Sequence, residues 1–502
     1  KVWKNQYQSI KTDIIEPGSG GAKKAVGDSL EPQNESHGNG ACGNGSNTDS
    51  DSKVIDIASH QRKRASRTGK GRYGFDNYPD APINNIEIEG IGVGDICGSC
   101  HKGKLYEGQA RKLLQFSGNS PVNVERYQKS VLRCNTCGLE FMNHQSLDKW
   151  THSARSSIIL QRVYGMPFHR LSKLQSLYNA PIAESTLWIQ CLGVWEDCGY
   201  HIYQQLLAVA GESKIFYSDD TGAKILEVMK TNKTLPEKQQ RSCNTTTICT
   251  RTARGENIIL YMTDNKHCGE NFVPIMTNRG NKDHYLKLMV DASSKNMPKV
   301  DEQELGKLII INCLFHGREK FAEIKDYYPE ECKYFLDEIS SIYKIDHECR
   351  NYDSRKRLRH HKRNSSKHIK NIYDKIRHLY DQKLAEPNSA LGKAMNYWLN
   401  NKTGLTRFLK VKGAPLDNNK SERALKSIIL QRKNSLFFKT RNSAAIWSGL
   451  SSIVRTCEAN GINGFAYFNW IQSNWNKVQK DASIYLPWKY LEYRNNTELV
   501  AA

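Results

Sequence analysis

A chain of 502 residues is too long for one ordinary hydrophobic core, so we expect several domains, and 38% hydrophobic with 25% charged residues is the composition of a soluble globular protein. The absence of any stretch of about 18 apolar residues excludes a membrane-spanning helix. The N-terminus lacks the basic, apolar and small-residue series of a secretory signal, so we expect a cytoplasmic protein.

The charge balance is strongly basic: 73 Lys and Arg residues against 52 Asp and Glu residues give a net charge of +21. Neutralising phosphates releases their counterions, so this excess favours a polyanionic partner such as nucleic acid. A merely solvated basic surface is the alternative. Fourteen cysteines spread over so long a chain favour reduced thiols and a metal site over a disulfide framework.

The N-terminal region is predicted to be a linker followed by a basic arm. Residues 17–52 are rich in Gly, Ser and Asn and poor in large apolar groups, so they cannot bury enough surface to offset chain entropy. The segment RKRASRTGKGR (62–72) carries six cations and no acid, and it begins with Arg62, Lys63 and Arg64. It is either a solvated tail or an arm that contacts phosphates.

Four cysteines form the strongest local motif: Cys97, Cys100, Cys134 and Cys137 make two C-x2-C pairs separated by 33 residues. Each pair lies in a Gly-bearing knuckle that can direct two thiolates at one ion, and two knuckles complete the tetrahedral shell that structural Zn²⁺ prefers. The long gap suits a zinc ribbon with an extended hairpin between the knuckles. A redox C-x-x-C pair is the competing interpretation, although redox chemistry does not need two copies.

Residues 165–196 have the layout of a helix-turn-helix. Leu171, Leu174 and Leu177 lie at helical spacing, YNAPI interrupts the helix, and AESTLWIQCLGVW resumes it. Two short helices joined by a turn can place the second helix in a major groove, here with residues 184–190 as the reading element. Many purely structural helical hairpins have the same pattern.

Between about 211 and 330, five short apolar runs are rich in β-forming residues: KIFYS, TTTICT, NIILYMT, YLKLMV and LIIINCL. With the helical pattern of GENFVPIMTNR, they predict an α/β or α+β sheet domain. Asp219 and Asp220 end the first run and Asp291 ends the fourth, where turn chemistry is the usual explanation for Asp. Acids from two strands and a later helix are also what a site for two divalent ions about 4 Å apart requires.

Residues 331–405 are charged and helical, with apolar residues three and four positions apart. Within them, RKRLRHHKRNSSKHIK (355–370) carries eight Lys or Arg residues and no acid, and it begins with Arg355, Lys356 and Arg357. Like charges on adjoining turns repel one another unless an anion is near, so we expect this run to contact a DNA backbone.

Glu422 has two interpretations. Asn419 and Glu422 have the spacing of a capping box, in which the acid bonds the backbone and is solvated. Glu422, Leu425 and Ile429 also lie at i, i+3 and i+7, which places the acid on an apolar, inward stripe where it needs a partner such as a metal. The spacing alone does not decide between them.

Five motifs together resemble the insertion sequence 66 family of bacterial transposases: YSDDTGAKIL, KHCGENF, LMVDASSKN, NCLFHGREKF and APLDNNKSERALKSIILQRKNSLFFKT. The resemblance implies a zinc-binding N-terminal part and a DDE catalytic domain of RNase H-like fold, with a helical insertion before the Glu. It implies Asp219, Asp291 and Glu422 as the metal-binding triad, separated by 72 and 131 residues. The family's first motif, Ala-Asp-Glu-Thr, favours Asp219 over Asp220.

The implied activity is cleavage of DNA at the ends of a mobile element and transfer of the freed 3′-hydroxyl into target DNA, with two Mg²⁺ or Mn²⁺ ions and a structural Zn²⁺. Cys313 and His316 of NCLFHGREKF are expected to support the active site structurally. The residues expected to contact DNA phosphates are Arg62, Lys63, Arg64, Arg318, Arg355, Lys356, Arg357, Lys420, Arg423 and Lys433.

The expected partners are double-stranded DNA, further copies of the chain in a synaptic complex and accessory proteins of the element, at the bacterial nucleoid and without a membrane. The alternatives are a non-catalytic DNA-binding regulator and an RNase H-like nuclease without strand transfer. The expected parts, in chain order, are a linker region (1–61), a basic arm (62–94), a zinc ribbon (95–145), a helical DNA-binding region (146–210), the first part of the catalytic core (211–330), a helical insertion (331–405), the Glu-bearing part of the core (406–460) and a C-terminal tail (461–502).

Overall fold

The computed structural model describes Asp76, Ile83 and residues 92–96, 101–106, 119–128, 131–133, 140–142, 148–277, 279–280, 284–298 and 308–501. The chain divides into two units, residues 1–115 and 116–502, and the division falls within the segment expected to form a zinc ribbon. In the first unit, Ile96 pairs with Lys104 in an isolated antiparallel bridge. Several predicted site residues lie outside the described residues and stay predictions: Arg62, Lys63, Arg64, Cys97, Cys100, Cys134 and Cys137.

The strands of the second unit form a small hairpin and one mixed sheet. The hairpin pairs β1 (Val131–Arg133) with β2 (Glu140–Met142) in antiparallel fashion. The sheet contains β3 (Ile215–Ala223), β4 (Cys243–Arg251), β5 (Asn257–Asp264), β6 (Leu286–Val290) and β7 (Leu308–Asn312), in the order β5-β4-β3-β6-β7. Antiparallel pairing joins β3, β4 and β5, whereas β6 runs parallel to β3 and β7 parallel to β6.

Helices precede, interrupt and follow the sheet. Before it lie α1 (His152–Val163), α2 (Phe168–Leu177), α3 (Glu184–Val194) and α4 (Tyr200–Gly211), and between strands lie α5 (Leu226–Asn232) and α6 (Cys268–Thr277). After β7 come α7 (Leu314–Ala322) and a helical block of α8 (Pro329–Glu348), α9 (Ser354–Asn364), α10 (Ser366–Asp381), α11 (Ala390–Asn400) and α12 (Lys402–Leu405). The chain then forms α13 (Asn419–Ser435), α14 (Arg441–Ala459), α15 (Gly464–Ser473), α16 (Trp475–Lys480) and α17 (Pro487–Ala501). The predicted mixed α/β class is confirmed, and none of the described helices has the length and apolarity needed to cross a membrane.

The two faces of the sheet carry separate hydrophobic cores, because successive residues of a strand point to opposite sides. Phe216 and Leu288 lie in one core with side chains from α1–α4, α6 and α14. Their neighbours Tyr217 and Met289 lie in the other core with the helical block. Helices therefore cover both faces, and the side that carries the helical block is called the Tyr217 face below.

The second helix of the expected helix-turn-helix is longer than the sequence pattern predicted. A turn joins α2 to α3, but α3 continues through a π-helical turn (Trp195–Gly199) into α4. The prediction of a short second helix was wrong, because its apolar side chains pack into the core along the whole run. Within the expected reading element, Gln190 is 7% exposed and its Oε1 accepts a hydrogen bond from Arg155, whereas Glu184, Ser185 and Ile189 are exposed.

Trp398 of α11 joins the helical block to the end of the sheet. The side chain is fully buried, and its Nε1 donates a hydrogen bond to the carbonyl of Gly317 in α7 at 2.9 Å. A methyl group added at Gly317 would lie 3.1 Å from the indole ring, so the close approach of the two helices depends on glycine at this position. The block and the sheet therefore share one core.

Replacing Trp398 by Ala should lower the free energy of unfolding by about 3–5 kcal/mol, because it leaves a cavity and removes the hydrogen bond to Gly317. Urea denaturation followed by circular dichroism measures the change. The matched control is Trp475→Ala, which removes an indole that is 41% exposed and should cost less. Equal losses in the two variants would contradict a core shared by the block and the sheet.

Candidate active site

Strand register places Asp219 beside Asp291. Tyr217 of β3 pairs with Met289 of β6 in parallel, and each acid lies two residues further along its strand direction. Side chains two residues apart share a face, so both carboxylates lie on the Tyr217 face at the level where β6 ends. The Asp291 carboxylate is held there by the backbone N–H of Ser293, at 3.1 Å, and by the side-chain amide of Asn296.

The strand that carries Asp219 does not end at this residue. It continues to Ala223, with Asp219 opposite Thr247 and Asp220 opposite Thr246 of β4. The expectation that the two acids end the first strand was wrong, because β4 continues the ladder past them. A strand end is correct for Asp291, which directly follows Val290.

Asp220 lies on the opposite side of the strand from Asp219 and has its own partners. Its Oδ1 accepts a hydrogen bond from Thr246 Oγ1 at 2.6 Å, and its Oδ2 accepts one from the backbone N–H of Cys268 at 2.7 Å. The imidazole of His267 lies 3.5 Å from the same carboxylate. Asp220 therefore fixes the start of α6 and is separated from Asp291.

The motif KHCGENF, for which the sequence suggested no role, packs α6 against β3 and β4. Gly269 is required by close approach, because a methyl group there would lie 2.3 Å from the carbonyl oxygen of Met297. Asn271 donates a hydrogen bond to Thr246 at 2.8 Å, which in turn donates to Asp220. The motif thus supports the strand on the face opposite Asp219.

A buried asparagine brings Glu422 to the two strand acids. The Nδ2 of Asn418 donates a hydrogen bond to the carbonyl of Ser218 at 2.9 Å, and its backbone N–H donates to the sulfur of Cys313 at 3.3 Å. The carbonyl of Asn418 accepts a hydrogen bond from the backbone N–H of Glu422 at 3.2 Å. The start of α13 is therefore tied to the residue before Asp219.

The capping box considered for Asn419 and Glu422 does not form. Asn419 is the first residue of α13, and its side-chain amide donates to Asp417 at 2.7 Å. Glu422 is half-buried, and its Oε1 is buried with no hydrogen-bond partner. The carboxylate lies beside His316, its charge acts on Asp219, and Oε1 does not bond the helix backbone, so the inward interpretation describes it better.

His316 completes the cluster, although the sequence suggested only a supporting role for it. One ligand atom each from Cys313, His316 and Glu422 lie within 4.8 Å of one another, and the Nδ1 of His316 is buried without a hydrogen-bond partner. Burial raises the pKa of the Cys313 thiol to about 12 in the metal-free protein, and its sulfur already accepts a hydrogen bond from the backbone N–H of Asn418. Glu422 and His316 therefore offer free ligand atoms. The C-x-x-H spacing of Cys313 and His316 was the sequence signal that could have identified His316 as a candidate ligand.

The electrostatics of the site favour a bound cation. Burial, together with the charges of Asp291 and Glu422, raises the pKa of Asp219 to about 6 against the lowering effects of the Asp220 N–H and of His316. Burial also raises the pKa of Glu422, while His316 lowers it. A hard divalent cation prefers oxygen ligands and would favour the charged forms of these acids. Among the described residues, the ligand atoms that lie within 4.8 Å of one another here are those of Cys313, His316 and Glu422, and of the three acids only Glu422 has a buried oxygen without a hydrogen-bond partner.

The predicted phosphate-contacting residues occupy different environments. Lys420 places its Nζ 4.8 Å from the centre of the Tyr217 ring, and burial lowers its pKa. Arg318 is half-buried on α7, two residues after His316. Arg355, Lys356, Arg423 and Lys433 are exposed, the first two on α9 and the last two on α13.

Arg357 is bound within the helical block. Its Nη2 lies 2.5 Å from the Oδ1 of Asp346, and the Nε2 of His361 lies 2.9 Å from the same oxygen. Asp346, Cys349 and His361 have ligand atoms close enough to hold a metal, but the Arg357 guanidinium already neutralises the carboxylate. This network orders α9 relative to α8, which leaves Arg357 less available to DNA than Arg355.

Asp219→Asn should stabilise the metal-free protein by up to about 3 kcal/mol at pH 7.5. Because the pKa of Asp219 is raised, its favourable contribution is complete below the ordinary value of 3.8 and is lost as the pH rises through about 6. Urea denaturation in chelator at pH 7.5 and pH 4 measures the change, with the exposed Asp326→Asn as control. Equal stability of variant and wild type at pH 7.5 would contradict the conclusion that the charged form of Asp219 destabilises the metal-free fold.

Comparison with known proteins adds the family. The family model described as "Transposase IS66 family" matches residues 149–446, and this range contains the three acids and His316. Two similar proteins come from Sinorhizobium fredii (strain NBRC 101917 / NGR234): uncharacterized protein y4jD, 28% identical over 156 residues, and uncharacterized protein y4qI, 21% identical over 189 residues. These alignments cover 31% and 36% of this chain and 30% and 34% of those proteins, so the chain spans about a third of the length of the curated relatives it matches. Because the family model matches more than half of the chain, the protein belongs to the IS66 family of transposases.

Proposed function

We propose that the chain is a DDE-type transposase that cleaves DNA at the ends of a mobile element and joins the freed 3′-hydroxyl to target DNA. One observation carries the proposal: Asp219 and Asp291 lie at matched positions on adjacent parallel strands, and Asn418 ties the helix of Glu422 to the same place. Membership of the transposase family supports the reaction class. The alternative of a non-catalytic regulator leaves this convergence unexplained.

The sheet supports an RNase H-like catalytic core. Three antiparallel strands are followed by two that run parallel to β3, with β3 at the centre of the order. The helical block enters between β7 and α13, so it separates Asp291 from Glu422 in sequence, while the charges of both act on Asp219. This arrangement agrees with a helical insertion in a DDE domain.

In this proposal Asp219, Asp291 and Glu422 hold two Mg²⁺ or Mn²⁺ ions, with His316 beside Glu422. Bound divalent ions activate a water or a 3′-hydroxyl and stabilise the leaving oxygen of an in-line phosphoryl transfer. The buried Oε1 of Glu422 and Nδ1 of His316, both without partners, are the atoms available to them. The chain itself contributes fixed carboxylates, because Asn418, Ser293 and Asn296 hold the acids in place.

The cations around the acids would position the DNA. Lys420 lies at the start of α13, two residues before Glu422, and Arg423 follows it on the exposed side. These residues, with Arg318, Arg355, Lys356 and Lys433, would bind phosphates and fix the register of the duplex without reading its sequence. Arg357, which forms an ion pair with Asp346, would not bind a phosphate directly as the exposed cations do, and would add only to the positive potential.

The remaining parts of the proposal concern the rest of the chain and its partners. Cys97, Cys100, Cys134 and Cys137 would hold a structural Zn²⁺ in a zinc ribbon, and Arg62, Lys63 and Arg64 would form a phosphate-binding arm. We propose double-stranded DNA and further copies of the chain as partners, with accessory proteins of the element, at the nucleoid. We also propose that the functional parts of the chain have the boundaries predicted from the sequence, from the linker region (1–61) to the C-terminal tail (461–502).

Glu422→Gln should reduce Mg²⁺-dependent nicking of element-end DNA by about 100-fold or more, because a lost charge at a two-ion site costs several kcal/mol of transition-state stabilisation. End binding should stay nearly unchanged. Gel analysis of labelled duplexes measures nicking, and joining of a 3′-hydroxyl end to plasmid DNA measures strand transfer.

The matched control is Glu319→Gln, which removes a charge near Glu422 from outside the three acids. It should retain nicking. Nicking that survives in Glu422→Gln would refute the role of this residue, and nicking without joining in the wild type would identify a nuclease.

His316→Gln should weaken Mn²⁺ binding by about 10- to 100-fold, because it removes an unpartnered ring nitrogen that lies beside Glu422. Isothermal titration calorimetry without DNA measures the affinity independently of activity. His267→Gln is the control, because His267 lies beside Asp220 on the other side of the strand. Equal losses in both variants would show that His316 has no special relation to the site.

A further inference from the structure

The turn that follows the Glu-bearing helix has a strained backbone. Leu436 has φ 63° and ψ −47°, and the backbone N–H of Phe437 donates to the carbonyl of Ser435 at 2.7 Å. This is a γ-turn of the rare type, in the left-handed region that favours glycine, yet the residue here is Leu. Strain of this kind persists where the surroundings enforce it, and it is concentrated at functional sites.

The surroundings do enforce it. The backbone N–H of Phe438 donates to the carbonyl of Lys224 at 2.8 Å, and the carbonyl of Phe438 accepts from Leu226 at 2.9 Å. Arg432, one turn earlier on α13, donates from its guanidinium to Thr221 Oγ1 at 2.9 Å and to the carbonyl of Gly222. The turn is therefore fixed on both sides to the end of β3, the strand that carries Asp219.

This rigid turn presents two large apolar side chains to solvent. Leu436 is 63% exposed and Phe437 is 44% exposed. Two adjacent apolar side chains that are exposed on a strained turn do not stabilise the isolated chain. The pair therefore points to a partner that receives apolar groups.

The charges beside the turn indicate which partner. Arg423, Lys426 and Lys433 are exposed along one side of α13, between the candidate active site and the turn, and Lys439 is exposed directly after it. A basic helix surface that ends in a projecting apolar pair is complementary to DNA, whose phosphates bind the cations and whose stacked bases accept apolar side chains. Leu436 lies about 21 Å from Glu422 along the helix, the length of about six base pairs.

We propose that Leu436 and Phe437 form an apolar wedge that enters the base stack of a duplex bound along α13, and this inference rests on the proposed function. Insertion would unstack one base step about six base pairs from the cleaved phosphate and bend the DNA there. The wedge would thereby hold a DNA end in register with the acids through contacts that do not depend on base sequence. The bend would then lie at a fixed distance from the reacting phosphate, and DNA whose base step there is easily deformed would bind better.

The test uses the full chain with Ca²⁺ and blunt duplexes in which 2-aminopurine, a base that fluoresces when unstacked, occupies successive positions from one 3′-hydroxyl end. The wild type should raise the fluorescence several-fold at one position, near the sixth base pair. Leu436→Gly and Phe437→Ala should lose most of this increase while still binding DNA. Leu436→Gly should unfold at the same or a higher temperature than wild type, because glycine accepts a positive φ.

The matched control is Leu430→Ala, which removes a leucine of nearly equal exposure, 62%, from α13 itself. It should keep the fluorescence increase. DNA binding without any increase in the wild type, or an increase that survives in Leu436→Gly, would overturn the wedge while leaving the transposase proposal intact. Absence of DNA binding would refute the proposed function itself. A change in oligomeric state without a change in fluorescence would assign the surface to protein contacts and would also overturn the wedge.

Discussion

The candidate active site depends on one buried amide, that of Asn418. Its side chain binds the backbone of Ser218 and its backbone binds Cys313, so a helix that lies about 200 residues beyond β3 in sequence begins beside that strand. Asn418 is fully buried, and its Nδ2 would be costly to bury without the Ser218 acceptor, which restricts the place where α13 can start. The direction of Glu422 follows from this restriction.

The electrostatic cost of the site explains its surroundings. Asp291 and Glu422 both repel the charge of Asp219, and burial adds a desolvation penalty to Asp219 and to Glu422. A fold tolerates such a cluster when the rest of the structure holds it in place, and here two cores, one on each face of the sheet, provide that support. Under the proposed function, bound cations would offset this cost of the metal-free state.

Local sequence patterns predicted most of the elements but not their limits. The five apolar runs correspond to the five strands of the mixed sheet, because a strand buried on both faces leaves a continuous apolar run in the sequence. The predicted strand end at Asp219 and the short second helix were wrong, and of the two interpretations left open for Glu422 the capping box does not form. Each depended on partners distant in sequence: the threonines of β4, the acceptor at Ser218 and the core around α4.

The sequence by itself determined the reaction class that its motifs resemble, the mixed α/β class and a short list of acids. Only the tertiary structure decided which of two adjacent Asp residues faces Asp291, since that depends on the register of β3 against β6. It also placed His316 beside Glu422, and it exposed Leu436 and Phe437 on a strained turn that neighbouring segments hold in place. Motifs record residue types along the chain, whereas the direction of a side chain is set by pairing and packing between segments far apart in sequence.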